Sequence, residues 1–573
     1  MGNNLSKEKR EKILKNIGIM RSKLQDDSDL LSTLNEIEIE LKRKKYGLVW
    51  EKHEEKIDYE LKNKIPVFEE DKTLEIINDE SLPTNFILEG DNYNSLYLLE
   101  KTHKNKIDLI IIDPPYNRGL NDFLYDDNYI DKGDSFKHSK WISFMNKRLS
   151  IAKKLLKDNG VIFINIDDNE FAQLKLLCDD IFGEENFISC FPWHNRTSIQ
   201  NDTDISINHE YIIAYAKKRR ITNRRLKASN KDIWFDTNDF VIQPKETDSS
   251  KYSNPDNDPR GIWKADPFDA PNIRPNLTYE IENPITGVKY LPPKGRCWRT
   301  EPEKYKMLLE DKRIVFGKNG TSKPQLKVFY EEVKMKGEIR NSWFEAELYD
   351  TSTNGKKELL SILPDKKIFN TPKPVNLYKE IIRMAISPKV KNPIILDFFA
   401  GSGTLGQAVL EEFQGKDAQF ILCNSNENNI CKEITYERIK RIIQGYQNSK
   451  GYNVQGITSN LKYYKVKYIN KSDKEDEGYY IVNELSKYTR ELVQLEHATN
   501  LNNNKKIQVL FTDEQVDNFA NNKELVKKSE VIYLDNNALI TEKQIEEFQK
   551  NDIKICYIPD YYFESDIMEV EQW

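Results

Sequence analysis

The stretch IDLIIIDPPY, Ile107 to Tyr116, is an apolar run that stops abruptly on an acid, two prolines and an aromatic ring. A short, nearly continuous apolar run rich in isoleucine reads as a strand buried on both faces, as in a parallel sheet. Asp113, Pro114, Pro115 and Tyr116 then emerge at the carboxyl end of that strand, where doubly wound sheets open their ligand crevice. The two prolines fix the backbone and remove two N–H donors, so the Pro114 carbonyl is expected to accept a hydrogen bond beside the Asp113 carboxylate. An exocyclic NH2 group has two hydrogens to offer such a pair. Accepting both would localise the nitrogen lone pair and aim it at an electrophilic methyl group, with Tyr116 stacked on a base withdrawn from its helix.

Outward from this strand the pattern repeats. FILEG, DNYNSLYLLEKT, IDLIIID, a helical stretch from Trp141 to Leu156 and VIFINID alternate strand, helix, strand, helix, strand. A second block of the same kind starts at Pro393 with PIILDFF, TLGQAVLEEF, AQFILCN and CKEITYERIKRIIQGY. The two blocks predict one doubly wound α/β sheet covered on both faces. In the second block, Asp397-Phe398-Phe399-Ala400-Gly401-Ser402-Gly403-Thr404 joins a strand to a helix, and its glycines permit close approach of the backbone to a ligand. The next strand runs on to Glu427, an acid placed to hold the ribose hydroxyls of an adenosine moiety. No GxxxxGK[ST] motif is present, which argues against a phosphate-cradling nucleotide site.

DPPY followed by FAGSGT resembles the β-class DNA amino-methyltransferases, in which the catalytic half precedes the cofactor half and the target-recognition domain lies between. KYGLVWE, SKWISFMNKRLSIAKKLL, VIFINIDDNE and HEYIIAYAK extend the likeness to the modification (Mod) subunits of type III restriction-modification systems. The resemblance implies a doubly wound, Rossmann-like S-adenosylmethionine-dependent methyltransferase fold with permuted motif order. It further implies that Asp113, Pro114, Pro115 and Tyr116 grip a flipped base. S-adenosyl-L-methionine is then held by Asp397, Phe399, Gly401, Gly403, Thr404 and Glu427. TPKP (Thr371 to Pro374, with Lys373) matches the cofactor-side motif before the glycine turn, and Asp91 of EGDNYNSL sits where an acid approaches the cofactor adenine. Asp rather than Ser before PPY points to adenine N6, with cytosine N4 or an RNA amine as rivals. Outside the enzymes, the alternative is a DNA-recognition scaffold without catalysis. The resemblance also implies double-stranded DNA as substrate, a homodimer, and a helicase-nuclease (Res) partner.

With 573 residues the chain is too long for one core. The expected division is a helical N-terminal region (1–80), a catalytic segment (81–190), an inserted recognition domain (191–365), a cofactor segment (366–447) and a small C-terminal α/β interaction domain (448–573). The N-terminal region reads as two helices carrying Ile13, Ile17, Met20 and Leu24, then Leu31, Leu34, Ile37 and Leu41, with Ser28 or Asp29 capping the second. The insert is aromatic and proline-bearing; from Arg196 to Leu360 it holds 30 Lys+Arg against 25 Asp+Glu, whereas Lys450 to Trp573 holds 16 against 22. DNA is therefore expected at the middle of the chain, despite a net charge of -6.

No apolar run reaches the length of a membrane span and no secretory leader is read, so the expected location is cytoplasmic. The six cysteines form no CxxC pair, and neither a metal site nor a disulfide framework is expected. His209 and Glu210 could form an acid-base pair, but His209 reads as a satisfied histidine at a strand start and neither is assigned chemistry. Asp58, Glu60 and Lys62 mimic a nuclease pattern within a Lys/Glu-rich stretch and are assigned none either. Trp193, Trp234, Trp263 and Trp298 could stack on bases, though tryptophans in such a domain mostly pack its core.

Overall fold

The computed structural model describes residues 5–23, 28–42, 50–119, 123–125, 128–131, 133–199, 204–218, 243–244, 249–317, 320–334, 337–338, 340–366, 371–387, 390–415, 417–471, 477–502 and 504–571. Trp234 and most of KYGLVWE lie outside these residues. The chain forms two compact units: residues 1–237, 343–379 and 390–573 make the first, and residues 238–342 with 380–389 make the second.

The first unit is built on a nine-stranded sheet. Its strands are β1 (Lys64–Glu70), β2 (Thr84–Glu89), β3 (Ile107–Ile112), β4 (Leu156–Ile166), β5 (Phe187–Trp193), β6 (Glu210–Ala216), β7 (Ile394–Asp397), β8 (Gln419–Asn424) and β9 (Asn460–Asn470). Across the sheet they lie in the order β1-β9-β2-β8-β7-β3-β4-β6-β5. From β9 to β4 neighbouring strands run parallel, with Ile395 facing Leu109 where the two sequence blocks meet. Every residue of β3 is buried, as a strand covered on both faces requires.

The two edges depart from a purely parallel sheet. β1 is antiparallel to β9, and β6 is antiparallel to both β4 and β5. Helix α1 (Asn92–His103) connects β2 to β3, and α2 (Lys137–Leu155) precedes β4. They pack over the sheet through Leu96, Leu99, Trp141, Met145 and Leu149, all 0% exposed. The crossover after the glycine turn is α3 (Thr404–Phe413). Thus the sheet takes in β1 from within the expected helical N-terminal region and β5 and β6 from around the start of the expected insert. The reason is local: IPVF and YIIAY bury their apolar side chains in this core rather than in a separate domain.

The C-terminal region carries the three expected short strands, Ile507–Leu510, Val531–Asp535 and Lys554–Ile558, as a parallel three-stranded sheet. Its separation at residue 448 does not hold. Leu485, Leu492, Tyr533 and Phe563 share one apolar cluster with Leu96 and Leu99, and Asp566 takes Lys101 Nζ at 2.6 Å. The N-terminal helices are Leu5–Lys23 and Ser28–Lys42.

The second unit is smaller and strand-poor. Trp263–Pro267, Gln325–Phe329 and Ile314–Val315 form an antiparallel sheet beside short two-stranded ladders. Its core holds Phe268, Ile281, Trp298, Tyr305, Ile314 and Phe316. Trp298 is thus a packing residue, while Trp263 donates Nε1–H to Asp256 at 2.9 Å. The buried Lys327 ammonium is neutralised by Asp256 and Asp258.

Candidate active site

The turn after β3 is fixed from three sides. Asn165 Nδ2 of β4 donates to the Ile112 carbonyl at 2.9 Å, and the buried Trp141 Nε1 of α2 donates to the Pro115 carbonyl at 2.7 Å. Asn117 takes a left-handed φ of 58° and donates through Nδ2 to Glu170 Oε1 at 2.5 Å. Glu170 is fully buried, and burial pushes its carboxyl up to about 8. So two prolines with few conformations are pinned by side-chain donors, and the Asp113 carboxylate is held at the strand end.

Four ionisable groups meet there. Lys373 Nζ lies 2.8 Å from the Tyr116 hydroxyl, 3.1 Å from Asp113 Oδ1 and 3.1 Å from Glu210 Oε2. The Tyr116 hydroxyl is within reach of both carboxylates, 2.8 Å from Asp113 Oδ1 and 3.2 Å from Glu210 Oε2. Burial pushes the Asp113 carboxyl up; the Lys373 cation opposes that shift and the charge of Glu210 adds to it. Lys373 is held above its ordinary value by Asp113 and Glu210, which outweigh its own burial. Arg118 stacks 4.8 Å over the Tyr116 ring and is anchored by Asp167 at 2.7 Å, with Glu210 at 3.5 Å.

Two assignments change here. The Lys373 side chain joins Asp113 and Tyr116 rather than lining the glycine turn; only its carbonyl faces that turn, accepting from Thr404 Oγ1 at 3.3 Å. Glu210, assigned no chemistry from sequence, contacts all of Tyr116, Lys373 and Arg118. The antiparallel course of β6 explains why. With Tyr211 paired to Ile166, the first residue of β6 lies at the carboxyl end of β4, on the crevice edge. Behind Lys373, a Cβ on Gly355 would meet the Pro372 carbonyl at 2.4 Å, so glycine lets the helix Ser352–Ile362 press directly on the TPKP segment. Trp193 is fully buried, with Lys373 Nζ 5.7 Å from its ring, and does not offer a face for stacking. His209 is satisfied by the Tyr211 hydroxyl at 3.0 Å.

The glycine turn follows β7, the strand beside β3. Asp397 is buried, accepts the Phe399 N–H at 2.9 Å, and has its carboxyl pushed well up by burial, with the Asp113 charge adding to the shift. Phe399 is half-buried against Phe144. The Gly401 carbonyl accepts from Thr435 Oγ1 at 2.7 Å and Asn424 Nδ2 at 3.0 Å. Gly403 has φ +76°, and a Cβ there would lie 3.2 Å from Thr435. The buried Arg438 guanidinium ties the turn together through Ser402 and Thr404.

Asp91 and Glu427 are the outlying members of the predicted set. Asp91 caps α1 by accepting the Tyr93 N–H at 2.7 Å, and it meets the buried Arg148 at 3.2 Å. Glu427 is exposed in a short turn three residues past β8. Asp58 and Glu60, from the nuclease-like pattern, are engaged by Lys147 and by the Tyr468 hydroxyl at 3.1 Å. Among the described residues no group of His, Cys, Asp and Glu could hold a metal ion, and no helix is long and apolar enough to cross a membrane.

The strand order, the DPPY turn and the neighbouring glycine turn together define a Rossmann-like methyltransferase fold. The chain belongs to the DNA methylase family, whose model matches residues 107–437. It is 36% identical over 389 residues to the type III restriction-modification enzyme StyLTI Mod subunit of Salmonella typhimurium, covering 62% of this chain and 55% of that one. It is 28% identical over 430 residues to the EcoP15I Mod subunit of Escherichia coli, covering 66% and 64%. With the type II methyltransferase M.KpnI of Klebsiella pneumoniae it shares 32% identity over 416 residues, 66% of this chain and 90% of that one. The chain therefore spans between half and two thirds of the length of the two Mod subunits it matches.

Proposed function

We propose that this chain transfers a methyl group from S-adenosylmethionine to N6 of an adenine flipped out of double-stranded DNA, as the modification and recognition subunit of a restriction-modification system. The observation that carries the reading is the Asp113 carboxylate, fixed by a pinned Pro-Pro turn at the end of β3, beside the glycine turn at the end of β7. The cofactor's fit rests on the donor set. Asp113 and Asp397 stand at neighbouring strand ends with both carboxyls pushed up by burial, so a ligand carrying a sulfonium and an ammonium would relieve both. Gly403, with φ +76°, lets the turn close against Thr435, where a Cβ would come to 3.2 Å.

When bound, S-adenosylmethionine supplies the electrophilic methyl carbon. Asp113 holds the amine hydrogens and orients the nitrogen lone pair, and Phe399, Asp397 and the glycine turn seat the cofactor. The pinned turn keeps Asp113 in place without reorganisation during the step. The second unit, set between the two blocks in sequence, is our candidate for DNA recognition, and a homodimer and a nuclease-bearing partner are proposed from the Mod relatives.

Expressing the chain in a host that lacks DNA methylation, beside an Asp113→Ala variant, tests the reading. Single-molecule sequencing is expected to find methyladenine within one short motif for the wild type and none for the variant. Methylcytosine instead would select the N4 alternative, and equal methylation by the variant would remove Asp113 from the chemistry.

A further inference from the structure

Beyond the groups expected to touch base or cofactor stand the half-buried Glu210 and the buried Lys373, both packed against Asp113 and Tyr116. Glu210 has 13% of its side chain exposed and Lys373 7%, against 25% for Asp113. A base whose amine is held by Asp113 would cover that exposed part of the carboxylate. A proton delivered to Asp113 in the closed complex then has no direct route to solvent.

The reaction must release such a proton. The positive charge brought by the methyl donor passes to the amine when the new N–C bond forms and the S–C pair stays on sulfur. The product becomes a neutral secondary amine only when one N–H proton leaves. We infer that Glu210 receives this proton through the Tyr116 hydroxyl, with Lys373 clamping the two carboxylates on either side of it. The inference rests on the proposed transfer and adds a path to it.

The geometry supports each step. The Tyr116 hydroxyl has one hydrogen and two carboxylate acceptors, Asp113 Oδ1 at 2.8 Å and Glu210 Oε2 at 3.2 Å. When Asp113 takes the amine proton, it passes a proton to the Tyr116 oxygen as that oxygen gives its own hydrogen to Glu210. No atom moves by more than a hydrogen-bond length, and Tyr116 ends neutral as it began. Lys373 has three hydrogens for three acceptors, Asp113, Tyr116 and Glu210, so it stays charged and stationary throughout. Before transfer the cluster carries two carboxylates and one ammonium; afterwards one carboxylate is neutral and the charges balance. The other groups facing Glu210 are Arg118, held in turn by Asp167, and Tyr378 from the helix after TPKP. Glu210 is therefore a proton acceptor acting through Tyr116, not a group on the substrate.

The test is single-turnover methylation of a DNA duplex across pH for wild type, Glu210→Gln, Glu210→Asp and Tyr116→Phe, with S-adenosylmethionine affinity measured by calorimetry. Glu210→Gln is expected to slow transfer by about a hundredfold with cofactor affinity unchanged. Its acid limb should also shift to lower pH, because the charge that helps raise the Asp113 carboxyl is gone. Glu210→Asp should recover part of the rate. In Tyr116→Phe, adding Glu210→Gln should cost little more, since the path is already cut. A Glu210→Gln enzyme with the wild-type rate and pH profile overturns the relay, as does a slowed enzyme whose acid limb stays in place, which would mark a purely structural role. If the wild type itself transfers no methyl group, the proposed function falls and the relay with it.

Discussion

Lys373 Nζ donates to the Tyr116 hydroxyl at 2.8 Å, joining residues 257 apart in sequence. The contact brings the cation of the TPKP segment to the aromatic ring of the DPPY turn and makes one electrostatic unit of the two sequence blocks. Replacing Lys373 by Met would remove the cation shared by the half-buried Asp113 and Glu210, leaving Arg118 at 3.5 Å from Glu210 and, among the described residues, none against Asp113. We expect a loss of about 1–3 kcal/mol in unfolding free energy, measured by urea denaturation. Any residual transfer should have its acid limb displaced to higher pH, because Lys373 is the group that opposes the rise of the Asp113 carboxyl.

The glycine turn makes a separate prediction. At φ +76°, Gly403 occupies left-handed space that a side chain enters at a cost of roughly 1–3 kcal/mol. Gly403→Ala is expected to weaken S-adenosylmethionine binding by about tenfold in calorimetry while leaving the far-ultraviolet circular dichroism intact. Unchanged affinity would move the cofactor away from this turn.

Arg148 is wholly buried and joins three segments: Glu55 at 3.0 Å, Asp91 at 3.2 Å and the Phe144 carbonyl at 2.9 Å. Arg148→Met should destabilise the first unit by about 1–3 kcal/mol, because it removes the buried guanidinium's hydrogen bonds while Glu55 keeps Lys147 at 3.3 Å and Asp91 is partly solvated. Limited proteolysis should then cut before β1 more readily.

Glu170 predicts a pH dependence of stability. Burial raises its carboxyl from 4.5 in the unfolded chain to about 8 in the fold. The unfolded chain ionises first, so the native state is favoured below about 4.5 and loses that advantage as pH rises toward 8. Glu170→Gln cannot ionise. Its unfolding free energy relative to wild type should therefore climb between these two pH values and level off above them; a flat difference would contradict the buried, neutral acid.

The parts of the fold legible in sequence are those with a strong period and clear punctuation. IDLIIID, PIILDFF and the helices between them declare their own type, and DPPY and FAGSGT mark the ends of adjacent strands. What escaped was set by strand direction and long-range pairing. Glu210 opens HEYIIAYA, and nothing local says that this strand runs against β4 and so delivers its first residue to the crevice. Lys373 was legible as part of the site, but TPKP does not show that its side chain turns toward Tyr116 while its backbone faces Thr404. The expected boundaries at 191 and 448 followed changes of texture in the sequence, whereas the sheet recruits β5, β6 and β9 by apolar burial irrespective of texture.

The placement of β9 bears on how the molecule is made. Lys64 pairs with Asn470 at one end of β1 and Glu70 with Tyr464 at the other. On the ribosome, β1 therefore waits on the order of half a minute for the strand that will hold it. Until β8 and β9 are made, β2 lacks both of its neighbours in the sheet. The sheet closes only once β9, the last of its strands in chain order, has been made.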